Sequence, residues 1–489
     1  MELTGDPRID SLLWNLAWSD GFVTYSDPDR ASDYGGDGPY FGKFSPLSAA
    51  QLTTAHAILN MQLFDQPAGG IGNSVEGFTR LDVRYAGHGS GAGTIRLAVT
   101  GEAPAGSAAA IVPGADPVSG DAFFATDLRD PVAGNVAYMT LIHEIGHTLG
   151  LMHGHESDLF GRLPREWDSM EFTAMTYRAG IGAKEYFTNE TWGFPQTYMM
   201  LDIAALQHLY GADFSTNAGD TTYDWNPNTG ASFVNGKLSI APGANRIFQT
   251  IWDGGGNDTY DLSNYATDLE IDLAPGGHST FSAAQRADLG AGPNGGLARG
   301  NVFNALQYKG DPRSLIENAF GGAGDDTILG NAAQNQLRGG GGRDTLRGLG
   351  GDDVLEGGAG ADVLNGGDGA DVLRGGAGAD RFDFDGPRAS TARAFDVIEA
   401  SGGVAAFERA GRSGGDLIDL AGVDADAHRP GDQAFVWGST AVGGLSLVDA
   451  GGVTRVLGNT SKAAGFELRI DIRDGAVVAA DYAAGDFVL

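Results

Sequence analysis

The chain has 489 residues, 79 of them Gly and none Cys, and 63 acidic residues against 31 basic give it a net charge of −32. That length suffices for two or three domains with cores of their own, and the charge argues against nucleic acid or an anionic membrane as the main partner. The absence of Cys excludes disulfides and fits any redox compartment, and no run of about 18 apolar residues announces a membrane span.

The start, Met1-Glu2-Leu3-Thr4-Gly5-Asp6, lacks the basic and apolar regions of a signal peptide. Ile9-Asp10-Ser11-Leu12-Leu13-Trp14 reads as a short amphipathic helix. A longer one opens at Ser45-Pro46-Leu47-Ser48, with Ser45 or Ser48 as cap and apolar positions continuing through Ala55, Ile58, Leu59 and Leu63. Residues 21–26, 78–85 and 93–99 alternate as strands, so a twisted sheet is expected in this part of the chain. Residues 108–113 would be its edge strand, where Pro113 is tolerated.

A helix is expected from about Asn135 through Tyr138, Leu141 and Ile142 to Gly150, and it carries H-E-x-x-H-x-x-G-x-x-H from His143 to His153. Residues four apart share a helix face, so His143 and His147 can point two imidazoles at one ion. Glu144 lies about 100° round from His143, close to the metal but free to act as a base. Gly150 supplies a left-handed residue that ends the helix and returns the chain, bringing His153 in as a third nitrogen ligand. Three neutral His and one open position describe a catalytic zinc, since structural zinc sites are closed by four protein ligands. The bland alternative, a polar helix face, would have to place three of only 9 His in this register with the Glu and Gly. The string is the metzincin signature. Residues 172–177 follow a polar loop, and residues 200–210 form an amphipathic helix stopped by Gly211.

From about residue 220 Gly and Asp rise and helical periodicity disappears. Asp253-Gly254-Gly255-Gly256-Asn257-Asp258-Thr259-Tyr260 is an isolated copy of a unit that recurs seven times without a gap over 321–383. The sixth position of each nonad holds Asp326, Asn335, Asp344, Asp353, Asp362, Asp371 and Asp380. The eighth holds Ile328, Leu337, Leu346, Leu355, Leu364, Leu373 and Phe382. This is the G-G-x-G-x-D-x-U-x calcium repeat, and seven in-phase units leave little room for a flexible Gly/Asp linker. The turns offer carbonyl oxygens at Gly322, Gly324, Gly339, Gly340, Gly341, Gly342, Gly348, Gly350 and Gly351. They continue with Gly357, Gly358, Gly360, Gly366 and Gly375, and the Asp adds a hard charged oxygen. Two units make one turn of a parallel β-roll, so Asp326, Asp344, Asp362 and Asp380 should line one edge and Asn335, Asp353 and Asp371 the other. The second unit lacks the Gly-Gly start and has Asn335 for Asp, so its sites should be weaker. Residues 384–489 return to ordinary β-like alternation and close with Asp486-Phe487-Val488-Leu489.

The zinc string, residues 202–211, the nonads and the acidic-aromatic-aliphatic close together resemble the serralysins, bacterial metzincin peptidases with a C-terminal RTX β-roll. The resemblance implies one zinc at His143, His147 and His153, with Glu144 as the catalytic residue. It implies Met175 as the apolar floor of a Met-turn and Tyr177 as the tyrosine that reaches the metal and swings away. It extends the structural calcium sites to Gly219, Thr221, Asp253, Gly255, Gly256, Asp258 and Glu317. Two departures stand out: Gly154 follows the third His where the family commonly has Pro, and Asn217 stands where it often has Arg. The family's inhibitory propeptide has no counterpart ahead of Asp6, which reads as a mature form or a trimmed chain.

The expected architecture is a two-domain α+β and all-β chain. Residues 1–225 would be a metzincin domain with a mixed sheet and zinc helix, and residues 226–489 a β-roll followed by β-sandwich-like strands and a secretion signal. The function implied is a secreted, extracellular, monomeric zinc endopeptidase acting on proteins or peptides, with no membrane or nucleic-acid partner. A type I (ABC) secretion system would read Asp486-Phe487-Val488-Leu489, and a proteinaceous periplasmic inhibitor is the other partner implied. Zinc would acidify a water and polarise the scissile carbonyl, Glu144 would move its proton, and Tyr177 would donate to the oxyanion. His155 reads as a loop residue and His208 as a packing residue. The competing function is a non-enzymatic RTX adhesin or scaffold, which predicts loss of the base or a ligand. An RTX lipase would need a G-x-S-x-G elbow, which the chain lacks.

Overall fold

The computed structural model describes residues 2–34, 43–60, 73–157, 159–184, 186–290, 292–386, 388–412, 414–461, 465–473, 475 and 477–489. Two compact units emerge: Met1–Asp258 with Pro275–Leu315, and Thr259–Ala274 with Ile316–Leu489. The boundary read from composition at 225/226 falls inside the first unit. Phe248, Trp252, Leu289 and Phe303 share one apolar core with Tyr198, Met199 and Leu201, and that burial holds the later segments with the first unit.

The first unit carries a mixed sheet. Its strands are β1 (Phe22–Asp27), β2 (Phe44–Ser45), β3 (Asp82–His88), β4 (Ile95–Thr100), β5 (Ala108–Ala110) and β6 (Asp121–Ala125). The order is β3-β1-β4-β6-β5, with β2 on β4 and β5 antiparallel at the edge. Helix α1 (Pro7–Asp10) stops short of the expected Leu12 and Leu13, and α2 (Ala49–Leu59) starts at Ser48, whose side chain and Gln51 form a capping box. Leu63 lies outside the described residues. Phe78 belongs to a helical turn, α3 (Val75–Phe78), rather than to a strand, because the Ser74 side chain caps it and Thr79 Oγ1 donates to Val75 O at 2.7 Å. Strand β6 was not expected: all five of its residues are buried, so it shows no alternation. The zinc-motif helix α4 (Val136–Thr148) and α5 (Met200–Tyr210) stand close to where periodicity puts them.

In the second unit successive nonads alternate between two parallel sheets. Leu337 pairs with Leu355 in one and Leu346 with Leu364 in the other. All seven eighth-position side chains are fully buried between the sheets. The Asp column expected on one edge is drawn together by its main chain: Asp344, Asp362 and Asp380 each accept from the amide of the Asp 18 residues earlier, at 2.8, 2.9 and 3.0 Å. Asp353 and Asp371 accept likewise from Asn335 and Asp353, at 2.7 and 2.8 Å. The later strands do not form a separate sandwich. Asp396–Glu399 and Leu417–Asp419 extend the roll's own two sheets in parallel, and Leu468–Arg473 and Phe487–Val488 add to them in parallel, while the hairpin Gly444–Asp449/Thr454–Asn459 is antiparallel and joins Leu468–Arg473 antiparallel through Thr454–Asn459. Asp396 and Asp416 make this extension possible by taking the next ladder positions, accepting from the amides of Asp371 and Asp380 at 3.0 and 2.9 Å.

Candidate metal centre

Helix α4 begins at Asn135, whose side chain accepts from Tyr138 N at 2.9 Å, and it is buried along nearly its whole length. It ends in a Schellman turn: Gly150, at φ +102°, donates to His147 O at 3.0 Å, and Leu151 donates to Gly146 O at 2.9 Å. Trp18 and Tyr210 satisfy the last carbonyls, at Thr148 O (2.9 Å) and Leu149 O (2.6 Å). A Cβ at Gly150 would stand 3.1 Å from Leu16 O, so the turn needs glycine for space as well as for φ.

The turn returns His153 to the helix. Its Nε2 lies 3.0 Å from His143 Nε2 and 3.1 Å from His147 Nε2. Nδ1 of His143 and of His147 donate to Ala174 O (2.8 Å) and Leu151 O (2.7 Å), which fixes their tautomers and leaves both Nε2 lone pairs facing the centre. Three lone pairs converging this closely repel unless a cation lies among them. Nitrogens around a tetrahedral zinc with bonds of about 2.0–2.1 Å stand about 3.3 Å apart, so the donor set and its spacing fit that ion. Burial pulls the imidazoles down to about 3 (His143), 4 (His147) and 2 (His153), helped at His143 and His153 by the neighbouring rings, and so holds them in the neutral, ligating form. Glu144 is also buried, and desolvation pushes its carboxyl up to about 8.

Beneath the helix, Met175 is fully buried and a Cβ at Gly146 would stand 2.8 Å from its Sδ, so the glycine at this unspecified position of the motif makes room for Met175. Asp202 of α5 holds that turn, accepting from Ala174 N (2.7 Å), Met199 N (2.9 Å) and the Thr173 hydroxyl. Since Ala174 O receives His143, the carboxylate acts on that imidazole through one residue. Asp168 braces the other side of the turn, pairing with Arg178 Nε at 2.6 Å and accepting from Thr176 Oγ1. The loop at Gly154, where the family pattern is broken, closes by Gly154 N to Met175 O (3.2 Å), a bond that Pro could not donate.

Tyr177 is 37% exposed, with its ring 5.7 Å from that of His143 and 4.7 Å from that of His153. Burial, then the Glu144 charge, raises its phenol to about 12, so it stays a proton donor. His155 does lie in a loop but is not idle there: it stacks on His153 at 5.1 Å and packs against Tyr177 at 4.8 Å. His208 Nε2 meets Glu2 O at 2.7 Å, far in sequence from the motif.

A second set of oxygen donors gathers around Asp253, which accepts from Gly255 N (2.7 Å) and from Tyr223 Oη (2.7 Å), and Asp258, which accepts from Thr221 N (2.8 Å). Thr221 Oγ1 donates to Gly219 O at 2.8 Å, and Asn217, the departure from the resemblance, donates to Tyr223 Oη at 3.0 Å. Desolvation and the Asp258 charge push Asp253 up to about 9. Gly256 is tight against Gly219, a Cβ there falling 2.7 Å from its carbonyl.

In the roll, Oδ2 of Asp344, Asp353, Asp362, Asp371, Asp380 and Asp396 is buried without a partner among the described residues. Burial raises Asp344 and Asp371 to about 6, Asp353 and Asp362 to about 7 and Asp396 to about 9, with neighbouring carboxylates adding to the rise. Glycines 342, 360 and 378 stack so closely that a Cβ at Gly360 would fall 1.5 Å from Gly342 O. Buried carboxylate oxygens of one sign, beside packed carbonyls, describe a cation site of the hard-oxygen type. In the second nonad, Asn335 accepts from Asn331 N at 2.8 Å and its amide donates to Glu317 O at 2.8 Å, so a neutral amide sits where the other nonads bring charge.

The model of the family described as Peptidase M10 serralysin C terminal matches residues 212–440. Metallopeptidase AprA of Pseudomonas marginalis is 36% identical over 215 residues, 42% of this chain and 39% of that relative. Serralysin of Proteus mirabilis is 34% identical over 206 residues, 41% of this chain and 36% of its own length.

Residues 212–440 match the serralysin C-terminal family, and the relatives that share sequence with this chain are serralysin-type metallopeptidases.

The chain spans about two-fifths of the length of these curated relatives. The parallel sheets of the second unit fit a serralysin β-roll. Among solved structures, the AlgE6R3 subunit of a mannuronan C5-epimerase of Azotobacter vinelandii is 25% identical, covering 34% of this chain and 78% of its own, at a TM-score of 0.18 that carries no argument. Among the described residues no helix is long and apolar enough to cross a membrane. Sequence reasoning missed Asp202 and Asp168 as supports of the Met175 turn, and Asp396 and Asp416 as ladder ends. The block at residues 202–211 carried a signal for Asp202; Asp168 meets its partners eight and ten residues on in a loop without periodicity, and Asp396 and Asp416 join the ladder across 25 and 36 residues.

Proposed function

We propose that the chain is a secreted, extracellular zinc endopeptidase of the metzincin type, with its RTX roll completed by several calcium ions. The observation that carries the reading is the convergence of three neutral imidazole nitrogens, two spacings of which are 3.0 and 3.1 Å, beside a buried Glu144. His143, His147 and His153 would hold a zinc ion, which supplies an acidified water and a Lewis acid for the scissile carbonyl. Glu144 takes the proton of the attacking water and delivers it to the leaving amine. Tyr177 keeps its phenolic proton and donates it as a hydrogen bond to the oxyanion. Met175 and the Asp202 link hold the ligands in place while charge develops.

Calcium at the Asp columns of the roll, and at the Asp253/Asp258 cluster, would turn binding free energy into folding free energy. A monomeric chain exported unfolded by a type I (ABC) system and folding in calcium outside the cell follows from this, with Asp486-Phe487-Val488-Leu489 as the address. A proteinaceous periplasmic inhibitor fits the same route. The second reading, a non-enzymatic RTX scaffold, lacks a feature of its own, because base and ligands are all present.

The test is cleavage of a peptide library with and without a zinc chelator, alongside Glu144→Ala. The wild-type chain should carry about one zinc and cleave peptides, and the variant should keep the metal and lose most proteolysis. A fully active Glu144→Ala enzyme would remove the assigned base, and a zinc-free wild type would remove the centre.

A further inference from the structure

The three imidazoles are not held alike. His143 and His147 give their Nδ1 protons to main-chain carbonyls, Ala174 O and Leu151 O, which the helix and the Met-turn fix in place. His153 turns its Nδ1 instead to a side chain, Glu156 Oε2, at 3.1 Å. Glu156 stands three residues on, in a tight turn whose amide at 156 donates to His153 O at 3.3 Å. The far face of the same imidazole carries His155, stacked at 5.1 Å and 28°. Ligand and both neighbours thus come from one short loop.

We propose that Glu156 is the positioning residue of the third ligand, and that through it this loop sets how tightly the centre holds its metal. A carboxylate accepting from Nδ1–H fixes the tautomer that leaves Nε2 free, and its negative charge makes that nitrogen a better donor. His155 supplies no ligand atom to the zinc; it blocks the ring from rotating away. His153, His155 and Glu156 also converge closely enough to hold a cation of their own. A second ion there would have to displace the Nδ1 proton of His153 while the first occupied Nε2, placing two dications on one imidazole. The ion-pair contact between His153 Nδ1 and the Glu156 carboxylate is the arrangement that one zinc allows.

This inference rests on the zinc reading above, and the experiment separates the two. Zinc affinity is measured by competition with a chromophoric chelator for wild type, His147→Ala, Glu156→Ala and Glu156→Gln, with thermal unfolding of each calcium-loaded, zinc-free protein as the control for structure. Loss of an outer-shell partner costs about 10- to 100-fold in metal affinity, and the side chain is 42% exposed, so about tenfold is expected for Glu156→Ala. Glu156→Gln, which keeps an acceptor without the charge, should lose less, and the unfolding temperature of both zinc-free variants should match wild type. If His147→Ala loses zinc and Glu156→Ala binds it as tightly as wild type, the proposal falls and the zinc reading stands. If His147→Ala binds as wild type does, the three-imidazole site itself falls. Two zinc ions per wild-type chain and one in Glu156→Ala would overturn the positioning role in favour of a second metal site.

Discussion

Buried carboxylates are treated in opposite ways in the two units. In the first, Asp121 meets Arg96 at 2.6 Å, Asp168 meets Arg178 at 2.6 Å and Glu171 meets Arg299 at 3.2 Å, while Asp202 is surrounded by hydrogen-bond donors. In the second, Asp344, Asp353, Asp362, Asp371 and Asp380 each commit one oxygen to a main-chain amide and bury the other with none. Desolvation without a counter-charge is costly, and like charges in a column add to it. The first unit therefore balances its charges internally, and the second leaves them to something from solution. The exceptions in the first unit are Glu144, the group assigned to chemistry, and the Asp253/Asp258 pair, where two buried carboxylates face each other as in the roll.

The largest test of this contrast is calcium removal. The second unit should lose most of its β-structure in a calcium chelator while the first keeps its helices, read by circular dichroism and by hydrogen exchange of the two units. Full protection of residues 326–380 without calcium would break the comparison. Next come single carboxylates, for which opposite signs are expected. Asp168→Ala removes the carboxylate that faces the largely buried Arg178 and should destabilise the first unit by about 3 kcal/mol in denaturant unfolding, since Arg178 keeps its bond to Ala183 O. Asp353→Asn removes a repelling charge, so the calcium-free chain should become less reluctant to fold while its calcium midpoint shifts to higher concentration. Equal signs for the two would remove the distinction.

Tyr177→Phe should lower kcat more than it raises KM, by less than the roughly 2.7–4 kcal/mol typical of a lone oxyanion donor because the metal shares the charge. The calcium midpoint of this variant should not move, which keeps chemistry and roll folding separate. The smallest effect concerns His88, whose ring meets Asp27 Oδ2 at 2.6 Å. That hydrogen bond raises the His88 pKa in the folded chain above its ordinary 6.5. Its stabilising contribution is thus full below about pH 6.5 and lost as pH rises through the folded value. The melting temperatures of wild type and His88→Ala should differ slightly at pH 5.5 and converge at pH 9; a gap that widens with pH would reverse the assignment.

The candidate zinc ligands were legible because their geometry is local: the eleven residues from His143 to His153 fix two ligands by helical spacing and the third by one glycine. The roll was legible because its period is strict. Strand β6 was not, since a strand buried on both faces carries no alternation, and Phe78 was misassigned because a Ser cap outweighed a short alternating run. The return of residues 275–315 to the first unit depends on apolar contacts made across long stretches of sequence. Glu156 was passed over because its role appears only when His153 has been folded back beside it. Asp396 and Asp416 escaped the repeat because they follow their ladder partners by 25 and 36 residues instead of 18.

Those two aspartates give the Asp columns a direction. Each amide in a column is capped by the carboxylate of a later rung, so every turn depends on the one nearer the C-terminus. Cutting turns from the early side removes donors that the rest can spare. Cutting from the late side, at Asp396 or Asp416, bares the amides of Asp371 and Asp380, and each further loss bares the rung before it. The roll is thus completed from outside its own repeats, and truncations of equal length at its two ends should not be equally tolerated.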